Sequence, residues 1–426
     1  MPPPRATNMS PEKARHDALL DEAAVELNTQ GVSQTSLAAI AARLGVTRAA
    51  LYYYAEDQED LIFQCYRRSC EVIARRLSRA RKEADGAVER IEAFVDAMLV
   101  QEEPEIAAIS ELAYLSGKKR ETIEGLLEGI VAQLARLIEG GVKEGTIRPC
   151  GSAHIARAIL AMSAWPSLLK RFDPRYAVAK EKAYPEIIKE LIKQGVASNR
   201  SRLPDLDRNL CRSGPAMTAN VFAADELASA KREALLGAGS QILNRKGVSA
   251  TSLDEIALSL GVSKAVIYHN VGDKPTFVLE CYRRSNRIFV DIAEKVQRSA
   301  GSRLDAAASG IRALCRLHFL PTSPLLLPIV GFASVSTRVA DELRAQQLRL
   351  QTLWLRIFED GRADKSIRPM NSELALAMTP ALLHWVAQWH GEVGEAEIEE
   401  IATETANLWS VGILPLGGGK PGKTRA

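Results

Sequence analysis

Apolar residues recur along this chain at spacings of three and four, as in Asp60-Leu-Ile-Phe-Gln-Cys-Tyr66 and Ala132-Gln-Leu-Ala-Arg-Leu-Ile138, and strand-like alternation is nearly absent. The pattern predicts an all-α protein. Breakers at Gly31, Gly45, Asp57, Gly86, Pro104, Gly117 and Pro149-Cys-Gly151 cut the first part of the chain into about nine helices. Gly247, Gly261, Asp273, Gly301, Pro321 and Pro369 cut the second part at matching places.

The match reflects a repeat. Residues 15–69 align without a gap to 231–285 at an offset of 216, with 24 identities in 55 positions. The similarity resumes at an offset of 220, where Leu137 to Pro149 faces Ile357 to Pro369, each segment ending in Ile-Arg-Pro, and Trp165 falls on Trp385. Each half is therefore a complete unit of about 200 residues. Between them, 197–224 is rich in Ser, Arg, Asn and Pro without a helical period and reads as a linker.

Within each repeat the most informative stretch runs from Gly31 to Tyr53. Thr35 or Ser36 can cap a short helix with an inner face of Leu37, Ile40, Ala41 and Leu44. Gly45 supplies a positive φ to end it, Thr47 caps the next helix, and Val46 and Leu51 fill the space beneath the corner. The second helix then presents Thr47, Arg48, Ala49, Tyr52 and Tyr53, a set that suits a DNA major groove. Charge separates this reading from a merely packed hairpin. Asp and Glu are 52 of 426 residues, yet none occurs in the 29 residues from Leu27 to Ala55, or in the 17 from Ile256 to Gly272. A face that meets phosphates must exclude carboxylates.

The motif Gly-x-x-x-Thr-Ser-Leu-x-x-Ile-Ala-x-x-Leu-Gly-Val-Thr-x-x-x-Leu-Tyr, followed by a helix from Asp57, resembles the DNA-binding head of the TetR (tetracycline-repressor-like) family. The resemblance implies two tandem units, each a three-helix head joined by a long fourth helix to a six-helix ligand-binding and dimerisation body. The fourth helices would span about Asp57–Lys82 and Asp273–Arg298. On that frame the heads occupy 11–56 and 225–272, the bodies 57–196 and 273–414, and a disordered tail 415–426. It also implies that Thr35, Ser36, Thr47, Arg48, Ala49, Tyr52 and Tyr53 of head one contact double-stranded operator DNA. In head two the counterparts are Thr251, Ser252, Ser263, Lys264, Ala265, Tyr268 and His269. Lys274, at the start of the fourth helix, would hold a phosphate where head one has Gln58. Ala55 and Val271 stand where the family usually has Phe. The reading helices differ, so the heads should prefer different half-sites.

Resemblance further implies a small-molecule effector. Candidate ligand-binding residues are Phe94, Met98, Tyr114, Met162 and Trp165 in body one, and His318, Phe332, Trp354, Phe358 and Trp385 in body two. The Leu382-Leu-His-Trp-Val-Ala-Gln-Trp-His390 segment resembles members that answer to CoA thioesters, pointing to an acyl-CoA or another apolar carboxylate. The family dimerises through its last two helices, here about Ser152–Arg171 with Tyr176–Gly195, and Ser372–His390 with Glu395–Gly412. A tandem chain can satisfy that pairing internally, as a pseudo-dimer that is monomeric in solution.

Composition narrows the rest. Hydrophobic residues at 46%, charged residues at 25% and a net charge of +3 fit a soluble cytoplasmic protein whose nucleic-acid surface is local. No long apolar run predicts a membrane span. The six cysteines form no CxxC pair and the six histidines no metal spacing, so neither disulfides nor a metal are expected. Gly417-Gly-Gly-Lys-Pro-Gly-Lys-Thr424 matches a phosphate-binding loop, but only two residues follow where a helix must open. No catalytic constellation is present, and an enzyme is not expected. The rival reading is a ligand-binding or scaffold protein in which one or both heads no longer bind DNA.

Overall fold

The computed structural model describes residues 11–32, 35–99, 105–172, 183–210, 224–319, 325–326, 337–384 and 393–417. They form 17 α-helices and a short 3-10 turn, with a single isolated bridge between Ala197 and Ile367 as the only extended pairing among them. Head one comprises α1 (Pro11–Gln30), α2 (Leu37–Arg43) and α3 (Arg48–Leu51). Its body follows as α4 (Gln58–Glu83), α5 (Ala87–Leu99), the 3-10 turn Leu112–Tyr114, α6 (Gly117–Lys143), α7 (Ser152–Phe172) and α8 (Tyr184–Gln194). Half two repeats the order: α9 (Ala224–Ala250), α10 (Leu253–Ser259), α11 (Lys264–Val271), α12 (Lys274–Arg298), α13 (Arg303–Phe319), α14 (Thr337–Ala363), α15 (Ser372–Met378), α16 (Ala381–His384) and α17 (Glu395–Val411).

The caps explain where the long helices start. Asp57 accepts from the Asp60 amide at 2.7 Å and Asp273 from the Thr276 amide at 3.0 Å, so α4 and α12 open one residue later than the sequence spacing suggests. From there α4 buries Leu61, Ile62, Cys65, Tyr66, Ile73 and Leu77 along one stripe against α5, α6 and α1. Two terminal helices differ from expectation. The last helix of half one begins at Tyr184, and 173–182 lie outside the described residues. The expected helix Ser372–His390 breaks at Thr379-Pro380, where proline removes a backbone donor, and residues 385–392 lie outside the described set.

Helices α7 and α8 of half one pack against α15, α16 and α17 of half two. Two equivalent arginines lock this contact reciprocally. Arg148, buried in the first Ile-Arg-Pro, donates from Nε to Gly412 O at 2.8 Å and pairs with Glu404 at 3.3 Å. Arg368, in the second Ile-Arg-Pro, donates from Nε to Gly195 O at 3.0 Å and pairs with Glu190 at 3.1 Å. Backbone bonds follow the same symmetry: Arg148 N to Ile413 O at 2.8 Å, and Arg368 N to Val196 O at 2.9 Å. Gly195 and Gly412 end α8 and α17 at φ 61° and 67°, with ψ −150° and −158°, a region that side chains avoid. Trp165 adds a cross-half bond from its indole to Ala377 O at 2.8 Å.

The linker departs from its composition. Polar and proline-rich residues predict a free tether, yet residues 197–210 are strapped to half two. Arg200 donates to Val411 O at 2.8 Å and Leu414 O at 2.6 Å, Arg202 pairs with Asp305 at 2.7 Å, and the Asp207 amide donates to Ser309 Oγ at 2.9 Å. Polar residues satisfied by carbonyls and carboxylates need no apolar period to dock. No helix among the described residues is long and apolar enough to cross a membrane.

Candidate nucleic-acid interface and effector cavity

In head one α2 and α3 meet at the predicted corner. Ser36 caps α2 by accepting from Ala39 N, Gly45 turns at φ 66°, and Thr47 caps α3 by accepting from Ala50 N at 3.3 Å. Ala41, Leu51 and Ala55 are buried beneath, as are Ala257, Ile267 and Val271 in head two. Val46 corrects the expectation: it is exposed. Arg48, Ala49, Tyr52 and Tyr53 all face solvent, Tyr53 with 74% of its surface free, and so do Ser263, Lys264, Ala265, Tyr268 and His269. Arg48 lies over the Tyr52 ring at 5.8 Å and donates to its hydroxyl at 3.0 Å; Lys264 lies over the Tyr268 ring at 5.6 Å.

Thr35 and Thr251 are corrections. Both are buried and spend their hydroxyls on Gly31 O and Gly247 O, each at 2.8 Å, where they stitch the loop before α2 or α10. Their exposed neighbours Ser36 and Ser252 do the capping. Gln58 also turns inward, donating to Val32 O at 3.1 Å and Thr35 O at 3.0 Å, so it braces the loop instead of facing a phosphate. Lys274 is half-buried, and burial pushes its amine pKa down. Nor is the reading face wholly free of acids. Carboxylates from outside the clean stretches fold back onto it, Glu12 onto the Tyr53 hydroxyl at 2.9 Å and Asp254 onto Lys264 at 2.9 Å. A linear count cannot see those returns.

Body one holds a cavity of about 470 Å³. Its walls are Ile73, Met98, Ile106–Ile109, Leu112, Leu127, Val131, Leu160, Trp165 and Leu168, with Glu124, Glu128, Arg157, Ser163 and Ser167 as polar members. Arg157 sits mostly inside, 18% exposed, and grips Glu128 with two contacts of 2.6 and 2.7 Å, whereas Glu128 is 62% exposed at the rim. The wall Ile106–Leu112 also anchors a head. Asn28 of α1 donates to Ile106 O and accepts from Ala108 N, both at 2.8 Å, and Val32 N donates to Glu111 at 3.2 Å. The adjoining turn Leu112–Tyr114 packs on α9 of head two.

Of the expected ligand residues, Met98 and Trp165 line this cavity. The others do not. Phe94 is core, Tyr114 sits half-buried on the turn, and Met162 faces Met378, Leu382 and Trp409 across the contact between halves. Trp354 packs beside Gly310, and Phe358 meets Trp409 edge-on at 6.0 Å, both inside body two. Neither ring nitrogen of His318 finds a hydrogen-bond partner among the described residues, and burial lowers its pKa to about 4. Phe332 and Trp385 lie outside the described residues. Sequence reasoning missed Arg157 and Glu128, because nothing in their spacing reveals the crossing of α6 and α7. It also passed over Arg148 and Arg368, although the duplicated Ile-Arg-Pro marked them.

Two family models match the chain, each in both halves. The model described as "Bacterial regulatory proteins, tetR family" matches residues 19–65 and 235–281. The "Tetracyclin repressor-like, C-terminal domain" model matches 84–168 and 311–413. No match is found among curated proteins. Among solved structures, AibR in complex with isovaleryl coenzyme A and operator DNA is 25% identical and covers 42% of this chain and 97% of its own, with a TM-score of 0.36. PfmR, a TetR family transcriptional regulator from Thermus thermophilus, is 24% identical over 41% of this chain and 96% of its own, with a TM-score of 0.35. The ketosteroid transcriptional regulator KstR2 of Mycobacterium tuberculosis is 18% identical over 43% of this chain and 95% of its own, with a TM-score of 0.33. Head and body models each match twice in the same order, and this chain therefore belongs to the TetR family of DNA-binding transcriptional regulators, with two tandem TetR-type units in one polypeptide.

Proposed function

We propose that this chain is an effector-responsive repressor whose halves form an intramolecular pseudo-dimer on an operator with two unlike half-sites. The reciprocal clamp carries the reading. Arg148 and Arg368 occupy equivalent repeat positions and each grips the last helix of the other half, which is the self-complementary pattern of a two-fold dimer interface. Head one would read through Arg48, Ala49, Tyr52 and Tyr53, with Ser36 and Thr47 on the backbone. Head two would read through Lys264, Ala265, Tyr268 and His269, with Ser252, Ser263 and Lys274 on phosphates. The heads would occupy 11–56 and 225–272, and the bodies 57–196 and 273–414.

The effector belongs in the cavity of body one. Apolar walls suit an aliphatic or alicyclic chain, and Arg157 offers the polar end a cation. Glu128, which it grips now, is 62% exposed at the rim, so an incoming carboxylate or a phosphate of the CoA moiety can compete for the same guanidinium. An apolar acid or its CoA thioester is the class proposed. A ligand that displaces Ile106–Leu112 would pull on the loop that Asn28 holds, which links occupancy to DNA release.

Light scattering on the free protein and on its complex with a selected genomic duplex tests the assembly. One chain free and one chain per operator is the expected result; two chains on one short site would mean that the halves pair between chains. Failure to bind any duplex at low salt would remove the regulator reading. Thermal shift against fatty acids and acyl-CoAs tests the effector class, and flat curves for all of them would exclude it.

A further inference from the structure

The two heads are not electrostatic copies. At the start of their second helices head one carries Ala38-Ala39, and head two, 216 positions on, carries Asp254-Glu255. Glu255 turns aside to Lys246. Asp254 turns to the reading helix, where its two carboxylate oxygens lie 2.9 and 3.0 Å from the Lys264 amine. Both groups remain in solvent, Lys264 with 55% and Asp254 with 62% of the side chain exposed, so the pair sits on the surface offered to DNA. Arg48, the counterpart in head one, makes no ion pair among the described residues and leans only on Tyr52.

We infer that Asp254 sets the grip of head two: it occupies the amine that Lys264 would give to DNA, so that head two holds DNA more weakly than it would with that amine free. This rests on the DNA-binding reading above. An ammonium released from Asp254 neutralises a phosphate or bonds a guanine edge, whereas the intact pair brings no net charge to the interface. DNA must therefore open the pair before Lys264 contributes. The exposed carboxylate also stands beside the phosphate line and repels it. Head one faces neither cost at the matching position, because Ala38 carries no charge.

The test uses the full-length chain and a random-sequence duplex of about 30 base pairs, with binding followed across a salt series. Asp254→Asn keeps the side-chain shape and frees Lys264. Expected is a gain in affinity of about five- to tenfold at low salt, and a slope of log K on log salt steeper by about one. Ala38→Asp, the mirror change in head one, should lower affinity and flatten the slope. Lys264→Ala should cost little in the wild-type chain but should abolish the gain in the Asp254→Asn chain, which assigns the effect to this pair. Equal melting temperatures confirm that the fold is unchanged. Wild-type binding with unaltered affinity and slope in Asp254→Asn would overturn the inference. Absence of wild-type binding at low salt would instead overturn the DNA-binding reading on which it rests.

Discussion

Replacing Gly412 by alanine should loosen the contact between the halves, and the size of the effect comes from two costs. Gly412 ends α17 at φ 67° and ψ −158°, where a residue with a Cβ is strained by about 1–3 kcal/mol. An added Cβ would also lie 2.3 Å from the Lys193 carbonyl carbon and oxygen at the end of α8. Those are backbone atoms of a capped helix, so no rotamer change relieves the clash and the halves must part by about an ångström, an overpacking cost of roughly 1–3 kcal/mol. Together the loss is about 2–6 kcal/mol, a large share of the 5–15 kcal/mol that usually separates folded from unfolded protein. Gly195→Ala should lose a similar amount, because its Cβ would meet Ser410 O at 2.3 Å in the equivalent place. Gly145→Ala is the reference: at φ 72° with open space around it, it carries the cost of a positive φ without the clash. Calorimetric unfolding of the three variants is the assay. If Gly412→Ala and Gly195→Ala cost no more than Gly145→Ala, the two helix ends do not approach one another as described.

Arg48→Ala should cost roughly 1–3 kcal/mol in operator binding and relax the preference in one half-site only, as read by competition with base-substituted duplexes; equal loss in both half-sites would refute the pairing of one head with one half-site. His318 is held neutral by burial, with a pKa near 4 against about 6.5 in the unfolded chain, so its contribution is complete above pH 6.5 and is lost as the pH falls towards 4. The loss is of order 1–3 kcal/mol, and His318→Leu should flatten urea-derived stability across that window. Burial raises the thiols of Cys65, Cys70, Cys281 and Cys315 to about 12, so in the native protein at pH 8 these four should resist a thiol reagent that modifies them readily in urea. Rapid labelling of Cys65 or Cys281, which occupy equivalent positions of the repeat, in the native state would refute their burial.

Local chemistry makes the heads legible in the sequence. The glycine at 45, the caps at 36 and 47, and the apolar stripe of α2 act within a few residues of one another, and each lies where its spacing places it. Exposure of the reading helix has the same origin. Features that depend on residues far apart in the chain are not legible in this way. Thr35 and Ser36 are both hydroxyls at a helix start, and only the fold decides that one of them turns inward to Gly31 O. Aromatic side chains stand out in the bodies, yet Phe94, Trp354 and Phe358 are core, and the polar lining of the cavity comes from Arg157 and Glu128 on crossing helices. The proline at the Thr379-Pro380 break is visible in the sequence, but the helical period on either side of it outweighs it there.

The strap at 197–210 has a consequence for how the two halves know one another. A tether that hung free would hold any two bodies together and choose nothing. This one is bonded along α13 and α17, so the stretch of chain leaving α8 becomes a piece of half two's surface supplied by half one. Among its described residues, 412–417, the segment after α17 bonds to the end of α8, to Arg148 and to the strap itself, with Ile413 N on Ile192 O at 2.8 Å, Leu414 N on Lys193 O at 3.1 Å and Gly417 N on Arg200 O at 2.9 Å, and none of these bonds reaches α5, the counterpart of α13. The reciprocal arginines are symmetric and could join like with like; the strap is not, and it marks the first half for the second. A chain cut between residues 211 and 223 should therefore stay together as two different fragments, and the two pieces made separately should recognise each other in preference to themselves.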